Sequence, residues 1–383
     1  ELQRRGIEIT VVSLKRCSET MVHPEAAAMR EQGRVIYASP GRGAVRFAGQ
    51  VLAHPGRVLR LFGEFGRNFR GSWTSLAKSF GSMVLAADLI ELMRARGIRH
   101  VHAPWATYPS TAAWFCSGLA GCTFSFTARA HDLFLEDHAI SVKLRQARFA
   151  QTITEYNSKL IERRYLPQAP GKLHVIHSAL NPGDFDMLRA PAKPALLLSV
   201  GRMVEMKGFA DLIDACGLLK DRGIEFQCLI VGEGPLQAQL QARIAQHGLA
   251  SRVQLQSPLP QAEIRRLLGR ASCFVLPCVT AVNGDQDGIP NVLMEAMAAR
   301  IPVVSCATSG VPELVQHEVT GLLAETHNPE SLSRQIERLL GDPGLARRLV
   351  RAGRLKVDAQ FDIATNAGRL ATLFPGNVSS VVG

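Results

Sequence analysis

Four side chains in the second half of the chain have the types and spacing needed to hold a phosphorylated sugar. Arg202 and Lys207 stand five residues apart in 200–208, where an apolar run ends at Gly201 and a helix is expected to open at Gly208. A loop that leaves a buried strand and opens a helix presents amide N–H groups and a positive dipole end, a natural anion site. The two cations can flank a diphosphate there, Arg through its forked donors and Lys as a point charge. Two cations on a surface loop are also commonplace. Asp287 and Glu295 bracket a second corner, with Pro290 suited to a first helical turn and Asn291 sharing a helix face with Glu295 by i,i+4 spacing. Glu295 sits among Val292, Leu293, Met294 and Met297, and a carboxylate in an apolar helix calls for a buried partner such as a sugar diol. The Gly288 and Ile289 amides can donate to a bound sugar or phosphate.

A third corner follows Ser309 and Gly310, with Glu313 in its first helical turn. There a carboxylate serves a ligand or simply stabilises the helix end. In the first half, a buried strand over 123–128 runs out into Arg129, His131 and Asp132, and alternation puts Arg129 and His131 on one side of its end. His100 and His102 precede Trp105 at another strand end. H-E-x-x-H and a G-x-S-x-G elbow are missing from the sequence, so hydrolytic and metal-dependent chemistries lack support. A dehydrogenase is disfavoured by the want of G-x-G-x-x-G.

These corners need parallel strands behind them. The chain has 383 residues, 46% hydrophobic and 20% charged, long enough for two cores and too apolar for disorder. The 8 Cys lack CxxC spacing and read as buried apolar residues in a reducing compartment. No apolar run reaches the roughly 20 residues of a membrane span. The spacing predicts a helix over 1–6, strands over 7–14, 34–37, 100–103, 123–128, 151–155 and 173–177, and helices over 45–97, 111–119 and 142–150. Asn181, Pro182 and Gly183, with the Pro-bounded stretch 191–194, read as a linker. Beyond it, strands over 195–200, 226–231, 253–255, 273–277 and 303–305 alternate with helices over 208–222, 236–247, 262–269, 290–299, 312–315 and 331–340. Apolar strands alternating with amphipathic helices mean parallel sheets covered on both faces, here an α/β architecture of two doubly wound Rossmann-like domains facing across a cleft.

The net charge of +11 lies wholly in 1–180 and is densest in 41–80, where Arg42, Arg46, Arg57, Arg60, Arg67, Arg70 and Lys78 face only Glu64. Phe47, Leu52, Leu59, Phe62, Phe65, Phe69 and Trp73 are interleaved with them. That mixture suits an anionic membrane surface or a lipid-linked phosphate, and equally an amphipathic hairpin with a solvated basic face. Nucleic acid is not expected as a partner, because no helix-turn-helix, RNP or zinc signature accompanies the charge.

Together the blocks resemble the GT-B-fold retaining glycosyltransferases of glycosyltransferase family 4, most specifically over 199–325, and within it the bacterial exopolysaccharide enzymes similar to colanic acid glycosyltransferases. The family's E-x(7)-E motif falls on Asp287 and Glu295, with Asp for the first Glu. The resemblance implies that Asp287 contacts the donor sugar, Glu295 the ribose, and Arg202 and Lys207 the diphosphate, with Glu233 in a family turn and 257–259 near the base. Where relatives read T-A-H-A, this chain has Arg129, so either Arg129 or His131 fills the active-site position. The implied domains are 1–182 on the acceptor side, lacking its initial strand, 195–356 for the nucleotide sugar, and a helix over 357–374 crossing back onto the first. The implied reaction is metal- and cofactor-free transfer of a sugar from a nucleotide-diphosphate donor to a lipid-linked (polyprenyl-diphosphate) or other glycan acceptor, in exopolysaccharide, capsule or lipopolysaccharide synthesis. It would take place in the cytoplasm or at the inner face of the membrane. The alternatives are a nucleotide-sugar-binding protein without transferase activity and an enzyme of the 2-epimerase type.

Overall fold

A computed structural model describes residues 1–15, 24–165 and 171–375. It divides into two compact units: Glu1–Ile153 with Ser158–Ile176 and the stretch from Ala367, and Thr154–Asn157 with His177–Asn366.

Among its described residues the first unit holds eight strands: β1 Val11–Ser13, β2 Val35–Tyr37, β3 Phe69–Arg70, β4 His100–Ala103, β5 Thr123–Ala128, β6 Asp137–His138, β7 Phe149–Thr152 and β8 Leu173–Val175. Its main sheet is parallel in the order β4-β5-β7-β8; β1 pairs with β2 and β3 with β6 in separate two-stranded sheets. The helices Pro55–Asn68, Trp73–Ala95 and Tyr108–Ala120 supply Val58, Leu61, Phe65, Met83, Ile90, Trp114 and Phe115 to its core, and Phe47 of the helix Pro40–Ala53 packs against it. A cavity of about 170 Å³ is lined by Val12 of β1 and Leu14 just after it, by 100–104 along β4, and by Leu89, Met93 and Ala112.

Several boundaries differ from the sequence-based expectation. The expected strand 7–14 contracts to β1, and the opening helix to one 3-10 turn, Gln3–Arg5, stopped by Gly6. The expected helix 142–150 ends at Gln146, and β7 starts at Phe149, two residues before the expected strand. β7 is buried throughout between β5 and β8, and a short run buried on both faces, with Gln151 and Thr152 inside, has no period to separate strand from helix. The following helix Glu155–Tyr165 was signalled by Thr154, whose Oγ1 accepts from Asn157 N at 3.0 Å.

The second unit follows the sequence more closely. β9 Ala195–Val200, β10 Phe226–Val231, β11 Val253–Gln256, β12 Cys273–Leu276, β13 Val303–Cys306 and β14 Leu322–Ala324 form one parallel sheet in the order β11-β10-β9-β12-β13-β14. The helix Phe209–Asp221 buries Phe209, Leu212, Ile213, Cys216 and Leu219, a stripe with helical period facing the sheet. The chain leaves β9 toward β10 and β11 on one side and adds β12, β13 and β14 on the other, so the strand order reverses between β9 and β12. In open α/β sheets the crevice at the carboxyl ends of such a pair is where ligands bind.

Two connections depart from expectation. The stretch read as a linker is laid onto the second unit: Phe185 is in its core, Arg189 donates to the Ala271 and Arg300 carbonyls, and the Ala190 and Ala192 amides bond 269 and 270. The expected helix 357–374 is broken. Pro343–Gln360 is one long helix, Asp362 forms an isolated bridge with Leu180 next to the buried Phe361, and Ile363–Ala371 is a second helix.

Candidate functional site

The loops after β9 and β12 meet at the reversal point. Gly208 caps the helix Phe209–Asp221 with φ 66°, and a Cβ there would stand 1.9 Å from the Pro277 carbonyl oxygen, so only glycine lets the two loops approach this closely. Across that contact Lys207 Nζ lies 2.6 Å from Asp287 Oδ2, both side chains largely shielded from solvent. The thiol of the buried Cys278 points at the same oxygen, 3.7 Å away. Thr308 Oγ1, in the loop after β13, donates to the Cys278 carbonyl at 2.7 Å and ties a third strand end to the first two.

The remaining members of the set are arranged around this pair. Arg202 is exposed on the β9 loop, whose course is fixed by Gly201 N donating to Val231 O and Met203 N to Glu233 O at 2.9 and 2.7 Å. The expected Glu233 turn thus acts through its backbone, and its side chain is exposed. Pro290 occupies the cap position rather than the first turn of the helix Asn291–Ala298. Gly288 and Ile289 are buried, and Asn291 is exposed at the helix start. Glu295 is half-buried in the second turn, where burial raises its carboxyl above the ordinary range against the opposing charge of Arg265. Lys207 and Asp287 are joined directly; Arg202 and Glu295 bond neither of them.

Glu313 has a different job from either one expected. Its carboxylate accepts from Glu155 N at 2.8 Å, Tyr156 N at 2.9 Å and His177 Nε2 at 3.1 Å. It therefore caps the distant helix Glu155–Tyr165, not its own. Burial opposes its ionisation, but His177 and the two amides outweigh that and hold the carboxyl below its usual range.

In the first unit β5 stops at Ala128, and Arg129 caps a short helix, Ala130–Phe134, that carries His131. The expected strand alternation of Arg129 and His131 therefore fails, because the backbone turns helical between them. Asp132 closes the cap through Arg129 N, and the Arg129 guanidinium lies 5.0 Å over the Trp105 ring. Among the described residues its buried Nε has no hydrogen-bond partner. His100 and His102 line one face of β4 in a polar ladder: His100 reaches Thr123 and Ser125, His102 reaches Ser125 and Thr127, and Thr127 donates to Gln151. Burial pulls both imidazoles down to about 4, so at neutral pH they are uncharged parts of the scaffold. The buried Lys143 lies outside the sequence-based expectations, because a lone Lys in a short helical run gives no local sign of burial. Among the described residues no three His, Cys, Asp or Glu side chains gather as metal ligands.

Comparison with known proteins bears on this geometry. Residues 183–356 match the family model of glycosyl transferases group 1. The amylovoran biosynthesis glycosyltransferase AmsK of Erwinia amylovora is 40% identical over 193 residues, covering 50% of this chain and 47% of that protein. The putative colanic acid biosynthesis glycosyltransferase WcaL of Escherichia coli (strain K12) is 38% identical over 188 residues, 49% of this chain and 46% of that one. Over about half its length the chain is similar to the colanic acid and exopolysaccharide glycosyltransferases, and its two Rossmann-like units have the fold typical of GT-B proteins. It spans about half the length of these relatives. Among solved structures, a glycosyltransferase from Rickettsia africae ESF-5 superposes with TM-score 0.67 at 18% identity, covering 77% of this chain and 80% of that one. Anabaena Alr3699/HepE in complex with UDP gives 0.63 at 17%, covering 75% and 81%. At these identities the likeness is one of fold. The β9 and β12 loops, with Lys207 and Asp287, lie inside the matched glycosyltransferase region.

Proposed function

We propose that this chain is a retaining, metal-independent glycosyltransferase that moves a sugar from a nucleotide-diphosphate sugar to a lipid-linked saccharide acceptor, in the synthesis of an exopolysaccharide, capsule or lipopolysaccharide. The observation that carries the reading is the meeting of Lys207 and Asp287 at the β9–β12 reversal. A cation and a carboxylate side by side there suit a donor whose diphosphate takes the first and whose sugar hydroxyls take the second. In this reading Arg202 and Lys207 hold the diphosphate, Asp287 the sugar, Glu295 the ribose, and Gly288, Ile289 and Asn291 line the donor. As the anomeric carbon–oxygen bond breaks and an acceptor oxygen replaces the leaving group, negative charge grows on the diphosphate. Fixed cations and amide dipoles stabilise that charge without a metal or other cofactor. Arg129, with an unsatisfied Nε, is supported over His131 as the catalytic cation of the first unit.

The acceptor side draws support from the basic segment. Val45, Leu52, Leu59 and Trp73 are exposed, Trp73 by 85%, beside exposed Arg57, Arg60, Arg67, Arg70 and Lys78. Arg42 and Arg46 belong to the scaffold instead, since both pair with the buried Asp88. Apolar side chains among cations suit peripheral docking on an anionic bilayer at the cytoplasmic face. Among the described residues no helix is long and apolar enough to cross a membrane.

The deciding experiment is a thermal-shift panel of UDP-, GDP- and CMP-sugars, followed by product analysis with the best donor. Transfer with retained anomeric configuration supports the proposal. Binding without turnover of any sugar nucleotide makes the chain a nucleotide-sugar-binding protein, and epimerised donor makes it an epimerase.

A further inference from the structure

Two charged side chains in the first unit are buried almost completely, and both act on one residue. Lys143, in the helix Ile140–Gln146, is 0% exposed; its Nζ donates to the Ala106 carbonyl at 3.0 Å, the Thr107 carbonyl at 3.2 Å and Ser110 Oγ at 2.9 Å. Asp132, 1% exposed, accepts with one oxygen from Ala106 N and from Arg129 N, each at 3.0 Å. Ala106 is thus gripped through its amide by the carboxylate and through its carbonyl by the ammonium. Its neighbour Trp105 lies under the Arg129 guanidinium, and Arg129 is gripped by the same Asp132 oxygen.

We propose that Asp132 and Lys143 are positioning residues that clamp the 104–107 loop, Asp132 to the start of the helix Ala130–Phe134 and Lys143 to the helix Ile140–Gln146, and so hold Trp105 and Arg129 as one preformed unit for the transfer reaction. Burying two charges is costly, and apolar packing would fill the same space without that cost. Apolar contacts, however, do not fix the direction of a peptide group. Hydrogen bonds to both ends of Ala106 do, and they orient the loop at the carboxyl end of β4 against the one at the end of the adjacent β5. The groups facing Lys143 are Asp132 and Asp137, which favour its charge, and the neutral His138; burial pulls its ammonium down to about 7. The catalytic part of the inference rests on the transferase reading and on Arg129 acting at the reacting group.

The test uses the full chain with Trp73→Phe, which removes the exposed indole and leaves the buried Trp114 and the part-exposed Trp105. Acrylamide quenching then reports Trp105. Lys143→Met and Asp132→Ala are expected to raise quenching and to lower kcat at least tenfold, the scale of a displaced positioning group. Affinity for UDP and GDP should stay within twofold. Asp132→Asn, which keeps an acceptor oxygen for both amides, should recover most of the loss. Should Lys143→Met fail to fold, Ser110→Ala removes one of the three acceptors and should move quenching and kcat in the same direction, less far. A folded Lys143→Met or Asp132→Ala with unchanged quenching and kcat overturns the proposal. So does a fall in kcat matched by an equal loss of nucleotide affinity. If the wild-type chain turns over no sugar nucleotide, the transferase reading fails, and quenching alone decides the clamp: a rise supports it and no change overturns it.

Discussion

Lys207 and Asp287 are 80 residues apart in the chain, and their side chains meet at 2.6 Å across the two strand ends where the sheet of the second unit reverses its order. Each is the other's ion partner, with the Cys278 thiol completing the surroundings of the carboxylate. In the proposed reaction a diphosphate arriving here would compete with Asp287 for the ammonium and leave the carboxylate to the sugar.

Removing either partner should therefore have separable effects. Lys207→Ala is expected to weaken binding of UDP or GDP about tenfold or more, the scale of a charge-assisted hydrogen bond. Asp287→Asn should leave the affinity for the nucleotide alone within a few-fold, or tighten it, while abolishing most transfer. Isothermal titration with the nucleotide and with its sugar conjugate separates the two. Equal losses for both ligands in Asp287→Asn would detach the carboxylate from the sugar.

Glu313→Gln should destabilise the second unit by about 1–2 kcal/mol at neutral pH, through loss of a helix cap and a charge-assisted bond to His177. Because the folded carboxyl is held below its usual range, its contribution is complete above the ordinary Glu value and fades as pH falls through the lower, folded one. Urea unfolding at pH 7 and below pH 4 should show a gap between wild type and variant that narrows in acid. A constant gap would assign the loss to packing.

The imidazoles of His100 and His102 should titrate near pH 4 rather than 6.5 when followed by NMR. With folded values depressed, the unfolded chain binds more protons between about pH 6.5 and 4, so their contribution to stability is full above that window and is lost as pH falls through it. His102→Gln should flatten the acid limb of Tm against pH. Ordinary titration near 6.5 would mean that the ladder is solvated.

Flotation with anionic vesicles should carry the protein, and neutral vesicles should not. Replacing Arg57, Arg60 and Lys78 by Gln should abolish flotation without lowering Tm, since all three are exposed. Trp73→Ser should weaken it further than the loss of one charge. Equal, negligible binding to both kinds of vesicle would remove membrane docking and leave 41–80 as an ordinary helical hairpin.

The second unit was largely legible because its signals are local. A strand apolar on both faces, such as Cys273–Leu276, and a helix with a buried stripe, such as Phe209–Asp221, declare themselves within a dozen residues, and so do the residue types Arg202, Lys207, Asp287 and Glu295. Strand β7 was half-hidden because a short run buried on both sides has no period, and the helix after it because its signal is a single Thr. What the tertiary structure decided is everything set by strand order and burial. Lys207 faces Asp287 because β9 lies beside β12, Glu313 serves a helix far away in sequence, and His100 and His102 are neutral because a sheet face covers them. Lys143 looks like any surface lysine until the loop after β4 closes over its ammonium. A side chain's charge type is written in its residue name, but its partner and its protonation state are fixed by groups that only the folded chain brings near.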